Sequence, residues 1–501
     1  MKKHDSQKSQ TMKNVFLNRQ MILPGKIMAL ICMAVIPLLI FCPSSWALDK
    51  SSLNGTFISG EFESGFLGGD PGNWGANDEV ILYRTETTFD GVGHFTMTTY
   101  EYKFVRNIGE SGTTPSNKFE TTYTEESGVT DSGAYTVSPD GEVTMNFVGG
   151  DGDTGTGYLS EDGRTLVFGW SEFEGVNQYC AMGIGVGIKR GSGFIEDSLD
   201  GTYVFSEFET GFHGGSGDYW GANDEQYWIR TEIAFDGDGG FILTGHEYKI
   251  NREIGESGTT LSNKFETTAE DSGVTDSGTY TITDDGVVTL NFEEEPTSSV
   301  TGYVGEGGQT MVFGWVEFEG GNQYCAMGLG MGVKRGSGFT TASVKGTYVV
   351  GLFESDFYGP DPNGGWGATD DQELDKEKFT FDGAGNFKVV SDEYEMERII
   401  GEVTSGGGYS NEFTTTYTEE LNESGTGTYT VSNEGVLTLS FVGGDIGIAY
   451  LSADGKTLVT GWSEYSNVPG DYYGSTGIGF GVKVPKVNKA LPAIYLLLLG
   501  D

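Results

Sequence analysis

The stretch NQYCAMGIGVGIKRGSGF, Asn177–Phe194, returns as NQYCAMGLGMGVKRGSGF at Asn322–Phe339. Gly183, Gly185 and Gly187 alternate with Ile184, Val186 and Ile188, which is the two-residue period of a β-strand with one bare face and one apolar face. A bare face predicts close approach by something bulky: an aromatic ring such as Trp170 of the preceding run, or a ligand. A third version, GIGFGVK from Gly477, keeps the glycines and ends on Lys483 but has Gly474 where the others have Cys180 and Cys325. The glycines and the lysine therefore belong to a repeated plan and the cysteine does not. The stretch reads as the closing strand of a β-domain, with RGSGF as the linker to the next.

Outward from it, the whole chain repeats. LNGTFISGEFESGF from Leu53 recurs as LDGTYVFSEFETGF from Leu199 and VKGTYVVGLFESDF from Val344. The turns FDGVG, FDGDG and FDGAG begin at Phe89, Phe235 and Phe381, and Trp170, Trp315 and Trp462 fall at equivalent points. The period, roughly 146 residues, is that of a complete domain rather than a solenoid or propeller unit. Within a unit, Asp-Gly turns separate runs rich in Tyr, Phe, Thr and Val, the punctuation of a hairpin meander. Eight runs can be read in the first unit: GTFISGEF, EVILYRTETTF, HFTMTTYEYKFV, KFETTYTEE, GAYTVS, EVTMNFV, RTLVFGWSEF and CAMGIGVGIK. Closing such a meander on itself removes its edges. The expected fold is all-β, three tandem antiparallel meander β-barrels of about eight strands each, with β-sandwiches as the alternative. The divisions are 1–47 leader, 48–197, 198–342 and 343–485 for the three units, and 486–501 as an apolar tail.

Each unit opens on Gly-Thr-aromatic (Gly55-Thr56-Phe57, Gly201-Thr202-Tyr203, Gly346-Thr347-Tyr348) and closes on Lys189, Lys334 or Lys483. In this the units resemble the calycin barrels, the lipocalin and avidin group. The resemblance implies an up-and-down barrel whose last lysine packs over the first aromatic, and it implies ligand binding. Phe or Tyr stands where that family usually has Trp.

With 29 basic and 73 acidic residues among 501, the chain carries a net charge of −44. Residues 1–47 hold six basic residues against Asp5, so the remainder stands at −49. Such a body repels nucleic acid and anionic surfaces and attracts cations. The basic start, the apolar run Ile27–Cys42 and the small residues of SWA before Leu48 have the form of an export signal cleaved after Ala47. A retained anchor is the alternative, since sixteen residues nearly span a bilayer. The expected location is secreted or cell envelope, with no stable membrane span after cleavage.

No catalytic constellation stands out. His4, His94, His213 and His246 do not recur through the three units, and there is no zinc-protease, P-loop or paired-cysteine motif. Cys180 and Cys325 read as small buried hydrophobes, with a disulfide as the alternative. The best binding candidate is the repeated segment after a glycine-rich loop: Trp74, Asn77, Asp78, Glu79; Trp220, Asn223, Asp224, Glu225; and Trp366, Thr369, Asp370, Asp371. A tryptophan beside amide and carboxylate oxygens suits a sugar ring, and the same oxygens suit Ca²⁺. The plainer reading is a hairpin whose Trp plugs a barrel end. Arg106, Arg252 and Arg398 also recur, as neutralisers of nearby carboxylates or as anion ligands in a lumen. No cofactor other than Ca²⁺ is implied. The function these features fit is a non-enzymatic, multivalent binding protein for a glycan, small molecule or surface partner. Alternatives are a structural surface component with cation-mediated association, one outer-membrane pore of about 24 strands, and a hydrolase.

Overall fold

The computed structural model describes residues 47–67, 76–108, 119–148, 154–173, 179–213, 222–254, 265–293, 299–319, 324–358, 368–400, 413–468 and 471–486. The leader cleavage segment, the tail beyond 486 and the tryptophans at 74, 220 and 366 lie outside them. The first unit contributes β1 (Asn54–Leu67), β2 (Ala76–Asp90), β3 (His94–Ile108), β4 (Phe119–Val137), β5 (Glu142–Phe147), β6 (Thr154–Leu159), β7 (Thr165–Phe173) and β8 (Tyr179–Lys189). The second contributes β9 (Gly201–His213), β10 (Ala222–Phe235), β11 (Gly240–Ile254), β12 (Phe265–Ile282), β13 (Val287–Phe292), β14 (Ser299–Val304), β15 (Thr310–Glu319) and β16 (Tyr324–Lys334). The third contributes β17 (Gly346–Tyr358), β18 (Ala368–Phe381), β19 (Asn386–Ile400), β20 (Phe413–Val431), β21 (Val436–Phe441), β22 (Ile446–Leu451), β23 (Thr457–Val468) and β24 (Asp471–Val484). Each set pairs in sequence order and closes, first strand on last, into an antiparallel barrel. Among the described residues the sheets thus close three times, rather than once as a wide pore, and they are barrels rather than sandwiches. No helix among the described residues is long and apolar enough to cross a membrane.

Eight strands per unit is the expected number, but two strands differ from the sequence reading. KFETTYTEE and GAYTVS are one strand, β4, which runs through ESGVTDSG. Gly128 takes a φ of 74° there and a register shift at Thr99/Tyr100 absorbs the irregularity, so the ladder to β3 continues on both sides. The eighth strand is TGTGYL, β6, which none of the eight runs covers. It is a strand because both of its edges have partners, β5 and β7.

The base of each barrel is sealed by a short 3₁₀ turn: Lys50–Ser52, Glu196–Leu199 or Thr341–Val344. Leu53, just after the first turn, and Leu199 and Val344, the last residues of the other two, are fully buried. A tyrosine ties each turn down, Tyr135 donating to the Leu53 carbonyl at 2.8 Å, Tyr280 to Glu196 at 2.9 Å and Tyr429 to Thr341 at 2.8 Å. Lys334 Nζ lies 5.6 Å from the Tyr203 ring centre and Lys483 Nζ 5.7 Å from that of Tyr348. Phe57 pairs with Lys189 in the same register. The closing lysine over the opening aromatic is therefore present in the second and third barrels, as the calycin resemblance implies, and the first barrel keeps its register.

The alternation in the closing strand now has two destinations. Gly183 faces the lumen, where a Cβ would lie 2.2 Å from the Trp170 ring; Gly328 and Gly477 stand in the same relation to Trp315 and Trp462. Ile184, Val186 and Ile188 face outward, and there they meet the other barrels. One apolar cluster runs through all three, joining Phe62, Met182 and Ile184 to Phe208, Met327 and Leu329 and to Phe353, Ile478 and Phe480. Phe62, Phe208 and Phe353 meet edge to face around one axis, with centroids 5.1, 5.5 and 5.4 Å apart. Cys180 and Cys325 belong to this cluster as free, buried thiols, and burial pushes them up to about 11 and about 12. The three barrels are one body built around a pseudo-threefold axis.

Candidate ligand-binding site in the first barrel

Three places could bind something: the strand that follows each glycine-rich loop, the axis between barrels, and the lumens. In a strand, successive side chains point to opposite faces, and this divides the repeated Asn-Asp-Glu segment. Glu79, Glu225 and Asp371 turn into the lumens, whereas Asp78, Asp224 and Asp370 turn out to the axis and are buried there. At the axis they form a closed ring with the recurrent arginines. Arg106 donates to Asp78 and Asp224, Arg252 to Asp224 and Asp370, and Arg398 to Asp370 and Asp78. Each guanidinium also lies on a phenylalanine of an adjacent barrel: Arg106 on Phe212 at 4.3 Å, Arg252 on Phe357 at 4.2 Å and Arg398 on Phe66 at 4.1 Å. Burial opposes ionisation of Asp78, yet the charges of Arg398 and Arg106 hold its carboxyl below the usual range. Removing one member of such a buried set costs about 3–5 kcal/mol, because the charge left behind is unpaired.

The arginines are therefore neutralisers, as one of the two readings had it, but they act between barrels and not in a lumen. The space beside the ring is about 30 Å³, room for little more than a water. The three aspartates assigned to a binding loop are thus held in the ring. Asn77 and Asn223 lie at the starts of β2 and β10, and the tryptophans of the segment lie outside the described residues.

The first barrel holds a cavity of about 530 Å³, lined by Phe57, Phe89, Met97, Met145, Phe147 and Phe168 below and by Ser59, Glu61, Thr87 and Trp170 above. That size lies within the range of small-molecule sites, about 300–1,000 Å³. Its polar end is built on β1. Ser59 donates to Glu61 at 2.8 Å, and burial raises the Glu61 carboxyl to about 7. Two residues along the same face, Glu63 accepts from Trp170 Nε1 at 2.8 Å and from Tyr179 at 3.1 Å. Burial raises its pKa too, against these two hydrogen bonds. Two strands along the row from Glu63, Lys103 pairs with Glu79 at 2.7 Å.

The cavity has a lateral opening. β6 and β7 pair over three residues only, Gly157–Phe168 to Leu159–Leu166. Beyond them Thr154, Gly155 and Thr156 pair with β5 alone, and Gly169 to Phe173 with β8 alone. Thr154, Gly155, Gly169, Trp170 and Ser171 line both the lumen and a second space of about 280 Å³, whose other wall is Val349, Leu374, Lys376 and Tyr394 of the third barrel. The slot therefore leads from the lumen into the cleft between two barrels.

The three lumens are unequal, and one position shows why. Ser59 in β1 corresponds to Phe205 in β9 and Val350 in β17. Phe205 packs on Phe313 with centroids 5.3 Å apart and crowds Gly332, occupying the space left open by Ser59. Beside Val350 a cavity of about 180 Å³ remains in the third barrel. This inequality was visible in the aligned openings SGEF, FSEF and VGLF, but it had no meaning until Ser59 was placed on the inward face.

No family model matches the chain, and no curated protein matches it in sequence. Among solved structures it is similar at low level to transferrin binding protein B from Haemophilus parasuis, at 8% identity, with 86% of this chain and 76% of that chain covered and a TM-score of 0.17. The transferrin binding protein B of serogroup B Neisseria meningitidis gives 9%, 81%, 66% and 0.17 for the same quantities. The outer membrane protein OmpT of Vibrio cholerae, in a loop-deleted form, gives 11%, 85%, 97% and 0.12. At these TM-scores the likeness supports no conclusion about the fold or role of this chain.

Proposed function

We propose that the chain is an exported, non-enzymatic binding protein that holds a small amphipathic molecule in the lumen of its first barrel. The observation that carries this reading is the cavity itself: about 530 Å³, open where the second barrel is filled by Phe205. The apolar floor takes the body of the ligand by exclusion of water. The Glu61 carboxyl takes an amine or another strong donor, since a buried carboxylate gains most from a charged partner. The acidic surface favours the approach of cations. Export is read from residues 1–47, and the expected location is the cell envelope or the exterior.

The reading replaces three equal sites with one main site, because the lumens differ while the axis does not. Dansylcadaverine, a fluorescent aromatic with an amine tail, is a suitable probe for the intact chain. Binding is expected to brighten the probe. Ser59→Phe, which places the second barrel's side chain in the first, should weaken binding at least tenfold without lowering the melting temperature. Glu61→Gln should weaken it by a smaller factor. Unchanged affinity in Ser59→Phe would remove the lumen from consideration.

A further inference from the structure

The lumens can be compared row by row, because the register carries each row around the barrel. One row in the first barrel reads Trp170, Gly183, Glu63, Ile81, Lys103. Its counterpart in the second reads Trp315, Gly328, Glu209, Tyr227, Lys249. In both, the lysine neutralises a carboxylate: Lys103 meets Glu79 at 2.7 Å and Lys249 meets Glu225 at 2.6 Å. In the third barrel the row reads Trp462, Gly477, Glu354, Glu373, Glu395. A glutamate stands where the lysine stood, and another replaces the Ile or Tyr.

The adjoining row adds Asp375 opposite Glu393, and the next adds Asp356 and Asp371 opposite Glu397. Among the described residues no lysine or arginine shares these rows. Burial, and then the neighbouring carboxylates, push Asp371, Glu373 and Asp375 well above the carboxylate range.

Two separate observations point to a missing positive partner. Carboxylate oxygens of Glu373, Asp375 and Glu393 all lie within 4.8 Å of one another. Oxygens bound to one Ca²⁺ sit at about 2.3–2.6 Å from it, so they can be no farther apart than about 4.6–5.2 Å. The trio satisfies that limit. Independently, Asp375 Oδ1, within the trio, is inaccessible to solvent and accepts no hydrogen bond, and the same holds for Asp356 Oδ1 and Asp371 Oδ1 on the row that borders Glu373 from the other side. Buried acceptors left in that state cost free energy that a cation would recover.

We infer that the lumen of the third barrel binds a hard divalent cation between β18 and β19, through Glu373, Asp375 and Glu393. An all-oxygen, all-carboxylate set selects Ca²⁺-like ions over thiophilic or imidazole-seeking metals. The site is separate from the first lumen and does not depend on the reading proposed for it. In this view the cation does in the third barrel what a lysine does in the other two.

The substitution Glu395→Lys makes that equivalence testable, since it restores the lysine of the sister barrels. In the intact chain, millimolar Ca²⁺ is expected to raise the melting midpoint by several degrees, as binding to the native state alone must. Glu395→Lys should raise the midpoint without Ca²⁺ and abolish the response to it. Asp375→Asn should abolish the response without that gain. Tb³⁺ gives a second readout that does not depend on unfolding: its luminescence should be sensitised through Trp462, fall in Trp462→Phe and be displaced by Ca²⁺. A wild-type chain indifferent to Ca²⁺ and Tb³⁺ overturns the inference. So does a Ca²⁺ response that survives both Glu395→Lys and Asp375→Asn.

Discussion

Gly183 shows how much one residue decides. Its missing side chain is the floor on which Trp170 lies, and Trp170 in turn donates to Glu63. Gly187, two places nearer the closing lysine on the same face, has ordinary contacts: a Cβ there would meet Ser59 at 3.6 Å and Leu166 at 3.7 Å. Gly183→Ala is therefore expected to destabilise by about 1–3 kcal/mol through overpacking, and to change the near-ultraviolet dichroism of Trp170. Gly187→Ala should be close to neutral, or slightly stabilising through the unfolded chain. Equal effects of the two would show that the tryptophan does not rest on the glycine face. The alternation itself was legible in the sequence, as was the suggestion of Trp170 as its occupant. Which glycine carries the ring was not, because that depends on the register between β7 and β8.

At the scale of the strand, β1 and its counterpart β9 set inward carboxyls against aromatic walls. Burial raises Glu61, Glu207 and Glu209 to about 7. In the unfolded chain a glutamate titrates near 4.3, so the folded barrels bind more protons between the two values. Their contribution to stability is full below about pH 4.3 and is lost as the pH rises through about 7. With a chelator present, the melting temperature is expected to fall between pH 5 and pH 7.5, and the triple variant Glu61→Gln, Glu207→Gln, Glu209→Gln should make that slope shallower, leaving the part owed to Asp371, Glu373 and Asp375 of the third barrel. A melting temperature independent of pH over this window would show that water reaches these groups freely. The ring acts in the opposite direction: Asp78, held low by its arginines, stabilises above the usual aspartate pKa and loses that contribution as acid protonates it. The strands of these barrels were read well where period-two apolar patterning was strong. β6 was missed because TGTGYL earns its conformation from the two strands beside it and not from its own composition.

At the scale of the molecule, the outward faces of the barrels explain why three copies share one chain. A single unit would expose Phe208, Phe212, Met327, Leu329, Met331 and Val333, which are buried here, and patches of that kind on a free surface drive association. Arg252 pairs with Asp224 of its own barrel and with Asp370 of the next, a head-to-tail pattern that closes after three steps. Residues 198–342 expressed alone are therefore expected to form a homotrimer that rebuilds the ring, as judged by light scattering after gel filtration. A folded monomer would show that the barrels do not need one another, and Arg252→Met should prevent the trimer. By itself the sequence determined the strand alternation, the threefold repetition and the closure into eight-stranded units, because these follow from local period, turn chemistry and the need to hide edges. Only the tertiary structure decided what each face meets. Asp78 and Glu79 are neighbours in the chain, yet one joins a buried ring between barrels and the other a lumen. No local rule distinguishes them, because a strand fixes only that the two point apart, and the packing of three barrels on one axis settles which side is core.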